Sequence, residues 1–485
     1  MNKKSFQFKR IFLFLLLLGA VAVALAMYGM ERFGVAPRTL APYIEKRTSG
    51  HNPTIVQTGK FVSNLLMGLD RGVLVPINLI PKVVIGVQAQ PTAPQTVAKV
   101  ASDTASAIMV SSAEQARTAI GNAKAGDVIT FLPGTYRFTG TQVKAQQPGT
   151  SLQPIVVRAS VPGSVTLEFE MVEGFTVSAP YWRFENLVIR GVCSGDSDCE
   201  HAFHVVGNAH HFTARNNVIE NVNAHFKING QSGAMPDHGL LESNTLRNTR
   251  VRDTANPVVP IDLVAASGWM IRHNLIHDFI KGDGNRVSYG GFVKGAGSDN
   301  HFRQNMVLCE FLLLGAPGQR VGLSLGGGGS GGEFCRDKQC KVEQQDSSIE
   351  ANLISGCSDA GIYLNRAAGS RINQNTLIDT AGIDVRFAES DADLEGNLVD
   401  GPIRHRDGAT VRTLDNLDGS LTAMYLGWHP LRQLFADAGQ LDLQWRTPPK
   451  RRQNISLAPL DLCSAKRLVP SLYGAFEDFS ACLAR

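Results

Sequence analysis

Asn217-Val-Ile219, Asn244-Thr-Leu246 and Asn274-Leu-Ile276 are three copies of the short motif that decides the fold. In each copy an asparagine is followed, two residues later, by valine, isoleucine or leucine. The asparagines that begin a copy are, in chain order, Asn186, Asn217, Asn244, Asn274, Asn305, Asn352, Asn375 and Asn397. They are separated by 31, 27, 30, 31, 47, 23 and 22 residues. A period of about 20 to 50 residues is typical of a solenoid or array.

Short runs of alternating apolar residues accompany the motif, such as Phe203-His-Val-Val206, Ile261-Asp-Leu-Val264 and Ile362-Tyr-Leu-Asn365. Alternation over four residues predicts a strand that buries one face. Units this short cannot form a core alone, but stacked units bury a continuous apolar column. Helical repeats are excluded because the units lack a long helical period and are rich in Val, Thr, Asn and Gly. The sequence therefore predicts an all-β solenoid of stacked coils.

The repeated asparagines have a structural interpretation. Each is expected at the bend between two strands, where a left-handed or bridge conformation is often needed. In a stack, the side-chain amide of one copy can bond to the amide of the next and form a ladder. We therefore expect these asparagines to hold the fold rather than to carry chemistry.

The pattern divides the 485 residues into a signal-anchor, a linker or spacer, a β-helix and a C-terminal cap, which span residues 1–30, 31–107, 108–410 and 411–485. In the spacer, Ala89–Thr96 is expected to be extended, and the apolar stretch Thr54–Val87 is expected to hold a packed or amphipathic helix. Ser112–Ala123 predicts a helix that caps the start of the stack, with Ser111 or Ser112 as N-cap. The C-terminal cap is expected to protect the open end of the stack.

The N-terminus predicts export. Ile11–Met30 holds no charged residue and follows a basic run of Lys3, Lys4, Lys9 and Arg10. A stretch of this length spans a bilayer as a helix, and the basic residues stay on the cytoplasmic side. This predicts a single-pass protein of a bacterial inner membrane with its β-helix in the periplasm. The alternative is a signal peptide cleaved between Ala26 and Met27, which predicts a secreted protein.

The charge balance excludes one class of partner. Lys and Arg number 47 against 43 Asp and Glu, and the excess of four lies within the first ten residues. The remainder is neutral overall, which removes the electrostatic argument for nucleic-acid binding. The sequence leaves the oligomeric state open.

Eight cysteines agree with an oxidising compartment. Their spacing favours disulfides over metal binding, because the chain has no Cys-x-x-Cys and no His/Cys spacing that suits zinc. Two pairs can close short loops, one pair can staple the C-terminal segment, and one pair follows equivalent repeat positions. These pairs are Cys193 with Cys199, Cys335 with Cys340, Cys463 with Cys482, and Cys309 with Cys357.

The 47-residue gap between Asn305 and Asn352 marks an insertion in one coil. It contains the glycine run Gly326–Gly332 and then Cys335 and Cys340. A flexible run followed by a disulfide-tied tip predicts a lid or wall over one face. A phosphate-binding loop is excluded because no Gly-Lys-Ser/Thr follows.

Aligned strands also predict a polar stripe along the outside of the stack. One set of outward positions holds His204, Lys227, Asp262, Ser324, Tyr363 and Asp384. A second set, near Lys294, holds Asn229, Arg366 and Arg386. Because strands stack about 4.8 Å apart, such a stripe suits an extended substrate lying along the stack. Outward positions of any β-helix are polar, so a purely structural interpretation stands beside this one.

Gly126-Asp-Val-Ile-Thr-Phe-Leu-Pro-Gly-Thr-Tyr136, followed by the asparagine coils, resembles the right-handed parallel β-helix of pectin-lyase-like proteins. Within these it is most similar to the alginate lyase and chondroitinase B family of polysaccharide lyases. The closing segments Asp461-Leu-Cys463 and Gly474-Ala-Phe-Glu477 are similar to those of bacterial β-helix proteins. The resemblance covers roughly residues 108 to 480. It implies cleavage of uronate-containing chains by β-elimination, with a lysine base, a supporting arginine and calcium.

The resemblance assigns the base to Lys294, because Phe292-Val-Lys-Gly295 is similar to the strand that carries the family's lysine. The coil that follows has no arginine at the matching place, and the arginines at comparable strand ends are Arg366 and Arg386. The acidic pair that the family has five and seven residues before the lysine is replaced by Tyr289 and Val287. The implied calcium therefore lacks its expected ligands, and we predict no metal and no other cofactor.

The leading hypothesis is a polysaccharide lyase-like envelope protein that acts on an acidic, uronate-containing glycan. Its predicted catalytic residues are Lys294, Arg366, Arg386 and Tyr363, and its predicted substrate-binding residues are His204, Lys227, Asp262, Ser324 and Asp384. One alternative is a non-catalytic glycan-binding or scaffold protein of polysaccharide export. Another is an epimerase, or a glycoside hydrolase that uses Asp262 or Asp384 as acid or base.

Overall fold

The computed structural model describes scattered positions between 13 and 29, and then residues 34–72, 74, 76–77, 83–87, 107–327, 329–452 and 460–483. Most of the predicted anchor, residues 1–30, lies outside this set, as does all of Ala89–Thr96. Over the positions that are described, no helix combines the length and the apolar character that a membrane crossing requires. The chain forms two compact units, Met1–Val73 with Gly419–His429 and Leu74–Asp418 with Pro430–Arg485.

The first unit contains the helices Pro37–Thr48, Pro53–Arg71 and Leu421–Tyr425. Asn52 caps the second of these, since its side chain accepts the N–H of Ile55 at 3.0 Å. A buried ion pair joins the first two helices, and Arg38 Nε donates to Asp70 Oδ2 at 3.0 Å. The region predicted as a spacer, residues 31–107, thus includes two helices that pack on each other.

The second unit is a parallel β-helix built from three long sheets, which the chain visits in turn on every coil. The first sheet has 12 strands: Ala107–Val110, Val128–Phe131, Ile155–Ala159, Trp182–Glu185, Thr213–Arg215, Leu240–Glu242, Met270–Arg272, His301–Arg303, Ser348–Glu350, Ser370–Asn373, Asp391–Glu395 and Thr410–Leu414. The second sheet has 11: Gly134–Thr139, Val165–Glu170, Val188–Gly191, Val218–Glu220, Thr245–Arg247, Leu275–His277, Met306–Leu308, Leu353–Ser355, Thr376–Ile378, Leu398–Val399 and Leu417–Asp418. The third sheet has 10: Val143–Ala145, Glu173–Val177, His201–Val206, Ala224–Asn229, Ile261–Val264, Val287–Lys294, Gln319–Leu325, Ile362–Asn365, Ile383–Arg386 and Ile403–Arg406.

Constant register turns the inward positions into columns of like side chains. Phe175, Phe203 and Phe226 stand directly opposite one another in successive strands of the third sheet. Their rings stack, with centroids 5.2 Å apart in both steps. All three are fully buried. Burying an aromatic side chain of this size contributes on the order of 2–3 kcal/mol, so the column explains why the short strands are stable only as a stack.

The predicted asparagine ladder is confirmed. Asn244 Nδ2 donates to Asn274 Oδ1 at 3.0 Å and to the carbonyl oxygen of Ala214 at 2.9 Å. The backbone N–H of Asn244 donates to the same Asn274 oxygen at 2.9 Å. This pattern repeats through Asn305, Asn352, Asn375 and Asn397, all of which are fully buried. Each side chain thereby satisfies backbone groups that the turn leaves without a partner.

The ladder differs from the prediction in its ends and in its bend. Asn186 is one residue out of step, because it stands opposite Asn216 and Leu187 occupies the ladder position. At the other end Asn416 continues the ladder and accepts from Asn397 Nδ2 at 2.8 Å. The left-handed residue is the one before each ladder asparagine, for example Ser243 with a φ of 54°.

The N-terminal capping helix is confirmed as Ala113–Gly121. Ser112 is its N-cap and accepts the N–H of Gln115 at 3.1 Å. Ala116 and Ile120 are fully buried against the first coils, so the helix closes the apolar column at that end.

The C-terminal segment lies elsewhere than predicted. Residues 430–452 and 460–483 include the antiparallel pair Phe435–Asp437 and Asp442–Trp445, and the short 3-10 helices Arg432–Leu434, Ala438–Gln440 and Phe479–Cys482. Their buried side chains, such as Leu443 and Phe476, pack on outward residues of the second sheet, such as Met306 and Leu353. The segment therefore covers a flank of the stack, because that flank is apolar on its outer face as well.

The four predicted disulfides are the ones that the structure forms. Cys193 pairs with Cys199 and Cys335 with Cys340, each closing a short loop. Cys309 pairs with Cys357 across neighbouring coils, and Cys463 with Cys482 within the C-terminal segment.

Candidate functional site

A cavity of about 510 Å³ lies on the outer face of the third sheet. Its floor includes His204, Lys227 and Lys294. Its roof comes from the described part of the insertion, residues 326–327 and 329–343, and includes Phe334 and Lys338. The predicted lid over one face is therefore present, and we call the enclosed space the cleft.

Specific contacts hold the insertion over the cleft. Glu343 Oε2 accepts from the N–H of Gly295 at 3.1 Å and from Ser330 Oγ at 3.0 Å. Arg336 reaches across to Asp237, with two hydrogen bonds of 2.8 and 2.9 Å. At the base of the insertion, Gly326 has a φ of 71°, and a Cβ there would lie 1.9 Å from a backbone oxygen. Only glycine fits that position, so the backbone conformation at the start of the insertion is tightly constrained.

Lys294 is the central cation of the cleft. It ends the strand Val287–Lys294, and its stem packs near Gly327 of the insertion. Its Nζ lies 4.5 Å from the centre of the Phe292 ring. Across the described residues, this amine makes no hydrogen bond or ion pair. Burial lowers the pKa of Lys294 first, nearby Lys227 lowers it further, and Asp262 and Glu343 oppose the shift. The lowered pKa increases the neutral fraction, which can accept a proton.

Lys227 and Asp262 form a pair beside Lys294. Lys227 Nζ lies 2.8 Å from Asp262 Oδ2, and the two residues are opposite each other in adjacent strands. Asp262 is only 6% exposed. The ammonium group of Lys227 is therefore partly exposed at the surface of the cleft, and the Asp262 carboxylate is buried beneath it.

Two histidines and a glutamate form a compact cluster at the other end of the cleft. His204 Nδ1 lies 2.9 Å from Glu173 Oε1, and His201 Nδ1 lies 3.8 Å from the same oxygen. His204 Nε2 lies 3.0 Å from Asn229 Oδ1. The two neighbouring histidines hold the pKa of Glu173 far below its usual range. This carboxylate therefore stays ionised.

The structure brings only part of the predicted set together. His204, Lys227 and Lys294 line the cleft, with Asn229 between them. Ser324, expected to bind substrate, is fully buried, and its hydroxyl donates to the carbonyl of Gly326 at 2.6 Å. The insertion covers this coil, so its outward position does not reach solvent.

Four other predicted residues, Tyr363, Arg366, Asp384 and Arg386, lie on coils beyond the insertion and do not line the cleft. Arg386 pairs with Asp407, and Asp384 pairs with Arg404 and Arg406. Arg366 is not on a strand, because Ile362–Asn365 ends before it and its φ is 54°. Its guanidinium and that of Arg386 lie over the Phe387 ring, at 5.3 and 4.4 Å.

Tyr363 belongs to the same distant group. Asn365 Nδ2 donates to its hydroxyl oxygen at 3.0 Å. Its strand lies two coils beyond the strand that carries Lys294, a separation of about 10 Å. Neither Tyr363 nor Arg366 is among the residues that line the cleft with Lys294.

A hydrolase based on Asp262 and Asp384 is also disfavoured. Four strand-to-strand steps separate these residues in the third sheet, a distance of about 19 Å. The two carboxyl groups of a glycoside hydrolase lie only about 5 to 9.5 Å apart. Asp384 is moreover 3% exposed and held by two arginines.

The calcium implied by the resemblance does not fit the residues around Lys294. Tyr289 and Val287 stand where the acidic pair is expected. The two nearby carboxylates are engaged, Asp262 with Lys227 and Glu343 with Gly295 and Ser330. Calcium needs six to eight oxygen ligands, and this set does not offer them.

Sequence reasoning missed Glu173 and His201. Strict alternation places residues three apart on opposite faces, so His201 was not grouped with His204. The strand is irregular at its start, because the N–H groups of Glu200 and His201 both donate to the carbonyl of Val172. The available signal was the register, since His201 stands directly opposite Glu173.

Fold and site together define a parallel β-helix protein with a roofed, lysine- and histidine-lined cleft on one sheet. No family model matches the chain, and no curated protein matches it. Among solved structures it is similar to pectate lyase Pel9A, with 15% identity over 74% of this chain and 90% of that chain and a TM-score of 0.44. It is also similar to an alginate lyase from Paenibacillus sp. str. FPU-7 (15%, 64% and 99%, TM-score 0.34) and to a rhamnogalacturonan lyase (12%, 62% and 80%, TM-score 0.37). At these identities the likeness concerns the fold alone, and we assign roles below from this chain's own residues.

Proposed function

We propose that this protein is a polysaccharide lyase that cleaves an acidic, uronate-containing glycan by β-elimination in the cleft. The observation that carries the proposal is Lys294, a half-buried lysine that has no ion pair among the described residues and whose pKa is lowered. Three lysines, Lys227, Lys294 and Lys338, line the cleft, and Glu333 contributes the one carboxylate among the lining residues. The ammonium groups of Lys227 and Lys338 offer hydrogen-bond donors and positive charge to an anionic substrate.

The chemistry assigned to Lys294 is proton transfer. Its neutral amine takes the proton from the carbon next to the uronate carboxylate, and the electron pair of that bond forms the new double bond. The glycosidic bond on the neighbouring carbon breaks, and its oxygen takes up the proton that Lys294 carries. Negative charge develops on the carboxylate during this step, and the Lys227 ammonium is the nearby cation that stabilises it.

Phe334 is proposed as a sugar-binding surface. It lies in the roof of the cleft and is 65% exposed. An aromatic ring in such a position stacks on the apolar face of a sugar ring. It would hold one unit of the polymer while the next unit meets Lys294.

We further propose that the protein acts in the bacterial periplasm, anchored by Ile11–Met30, or is secreted after cleavage at Ala26-Met27. The four disulfides support an oxidising compartment. The uncharged run after a basic N-terminus supports export.

The direct test is product formation. The full chain, purified in detergent, is incubated with alginate, pectate or chondroitin, and ultraviolet absorbance reports unsaturated uronates. We expect a rise with at least one polymer, and its loss in Lys294→Ala. Lys124→Ala, an exposed lysine outside the cleft, is the matched control and should keep the wild-type rate. Binding of a polymer without any rise would favour the glycan-binding scaffold instead.

A further inference from the structure

The Glu173, His201 and His204 cluster has the composition of a metal site. One donor atom from each residue lies within 4.8 Å of the others. The backbone fixes this arrangement, since Glu173 and His201 are opposite each other in adjacent strands and His204 is on the same strand as His201. The side chains therefore converge before any ligand arrives.

His201 supplies the first sign that a cation belongs between them. Its Nδ1 is buried and has no hydrogen-bond partner within the described part of the chain. The atom lies 3.8 Å from Glu173 Oε1, too far for a hydrogen bond. A buried polar atom without a partner costs free energy, and a cation between it and the carboxylate would remove that cost.

The ring of His204 supplies the second sign. Asn229 Nδ2 donates to the carbonyl of Gly230 at 3.0 Å, which turns its Oδ1 toward His204 Nε2. An oxygen acceptor there requires Nε2 to carry the proton. In the neutral ring, Nδ1 then presents a lone pair to the Glu173 oxygen 2.9 Å away. Two lone pairs face each other unless a proton or a metal ion lies between them.

The ligand set indicates which metal. Two imidazoles and one carboxylate suit zinc and its neighbours in the first transition series rather than calcium or magnesium. Three donors bound at about 2.1 Å from zinc lie about 3 to 3.5 Å apart. The separations of 2.9 and 3.8 Å from Glu173 Oε1 bracket that range.

We propose that Glu173, His201 and His204 bind a divalent transition metal ion, zinc first, with an open coordination position toward the cleft. Both histidines line the cleft, so an oxygen of a bound ligand can fill the open position. Asn229 is the positioning residue, because it fixes the tautomer that leaves His204 Nδ1 free to bind. The site stands on its own geometry and does not depend on lyase activity.

The test is metal binding by the full chain. The purified protein is stripped with a chelator, and zinc, manganese and calcium chlorides are titrated in separate calorimetry runs. We expect one zinc ion per chain, and calcium binding too weak to saturate. His201→Ala and Glu173→Gln should weaken zinc binding by about 100-fold, and Asn229→Ala by about 10-fold.

Two controls keep the outcome clear. His211→Ala removes a histidine from a second surface group, in which His210, His211 and His238 lie close together, and should leave zinc binding unchanged. Circular dichroism of the stripped variants shows whether each one folds. Crystals soaked in zinc and measured at its absorption edge should show the anomalous peak between Glu173 and the two histidines.

Either of two results would overturn the proposal. One is a stripped chain that is folded by circular dichroism and takes up no stoichiometric zinc. The other is zinc that binds His201→Ala as tightly as the wild type and is lost in His211→Ala.

Discussion

The outer face of the third sheet has two halves that look alike in sequence and differ in structure. In the half beyond the insertion, Asp384 is paired with two arginines and Arg386 with Asp407. In the cleft half, Lys294 is enclosed and has no ion pair among the described residues. Polar outward residues are present in both halves, so polarity does not identify a site. An ionisable group that is partly buried and has no ion pair is a better indicator of a site. Such a group costs folding free energy, and groups of this kind are concentrated at functional sites.

The largest expected difference between the halves is in catalysis. Lys294→Ala should lower kcat by about 100- to 10,000-fold, since a general base contributes that much. Arg386→Ala, on the paired half, should change kcat by no more than about twofold. Initial rates from the absorbance of unsaturated products measure both. Comparable losses in the two variants would show that the halves act as one site.

The free energy of unfolding should depend equally on the asparagine ladder in both halves, so the halves should differ in chemistry and not in stability. Asn274→Ala, in the coils of the cleft half, removes the acceptor of Asn244 Nδ2 and of the Asn244 backbone N–H. Asn375→Ala removes the same two contacts of Asn352 beyond the insertion. Each should lower the free energy of unfolding by about 2–4 kcal/mol, because buried donors lose their acceptors. Urea unfolding checks this, and a difference of more than about 2 kcal/mol would contradict a uniform ladder.

Phe334 and Phe387 give a smaller contrast. Phe334→Ala removes an exposed ring from the roof of the cleft and should raise KM by about 3- to 10-fold with little change in kcat. Phe387→Ala removes a ring that lies under Arg366 and Arg386 and should leave KM unchanged. Michaelis curves of both variants with the same polymer give the two KM values to be compared. An unchanged KM in Phe334→Ala would remove the stacking role.

The smallest expected effect is a shift in the pH dependence. Lys294 acts in its neutral form, so the rate should rise with pH through its lowered pKa. Asp262 raises the pKa of Lys294 and Lys227 lowers it. Asp262→Asn should therefore move the rise to lower pH, and Lys227→Met should move it to higher pH. Profiles of kcat/KM against pH measure the shifts, and movement in the opposite directions would exclude Lys294 as the titrating base.

Much of the fold could be predicted because its signals are periodic. The asparagine repeat predicted the hydrogen-bonded ladder. The alternating runs that contain His204, Lys227 and Asp262 predicted a strand register, and in the structure these residues are opposite each other in successive strands. The ends of the repeat were harder. Asn186 fits the motif but not the register, and Asn416 fits the register without the motif.

One feature of the sequence does indicate where the C-terminal segment packs. Met306-Val-Leu308 is apolar at three consecutive positions, and all three are buried. A continuous apolar run is typical of a strand buried on both faces. Alternation alone predicts one buried face, whereas this run indicates that the second sheet is covered on its outer face as well.

The candidate site was predictable only in part, because pairing and burial depend on contacts between distant residues. The stripe placed Lys294 near Asn229, and both residues line the cleft. It also included Ser324, which the insertion buries, and Asp384, which two arginines neutralise. Arg404 and Arg406 lie about 20 residues after Asp384 in the chain, and only the coil length brings them beside it.

Chemical rescue of Lys294→Ala tests the central claim most directly. Small primary amines of different pKa are added to the variant with the polymer that the wild type cleaves, and the formation of unsaturated product is followed. The account predicts that the amines restore turnover, with a rate that increases with amine basicity, while Arg386→Ala is unaffected by them. A variant that already matches the wild type without amine, or a wild type that binds uronate polymers and releases no unsaturated product, would contradict it.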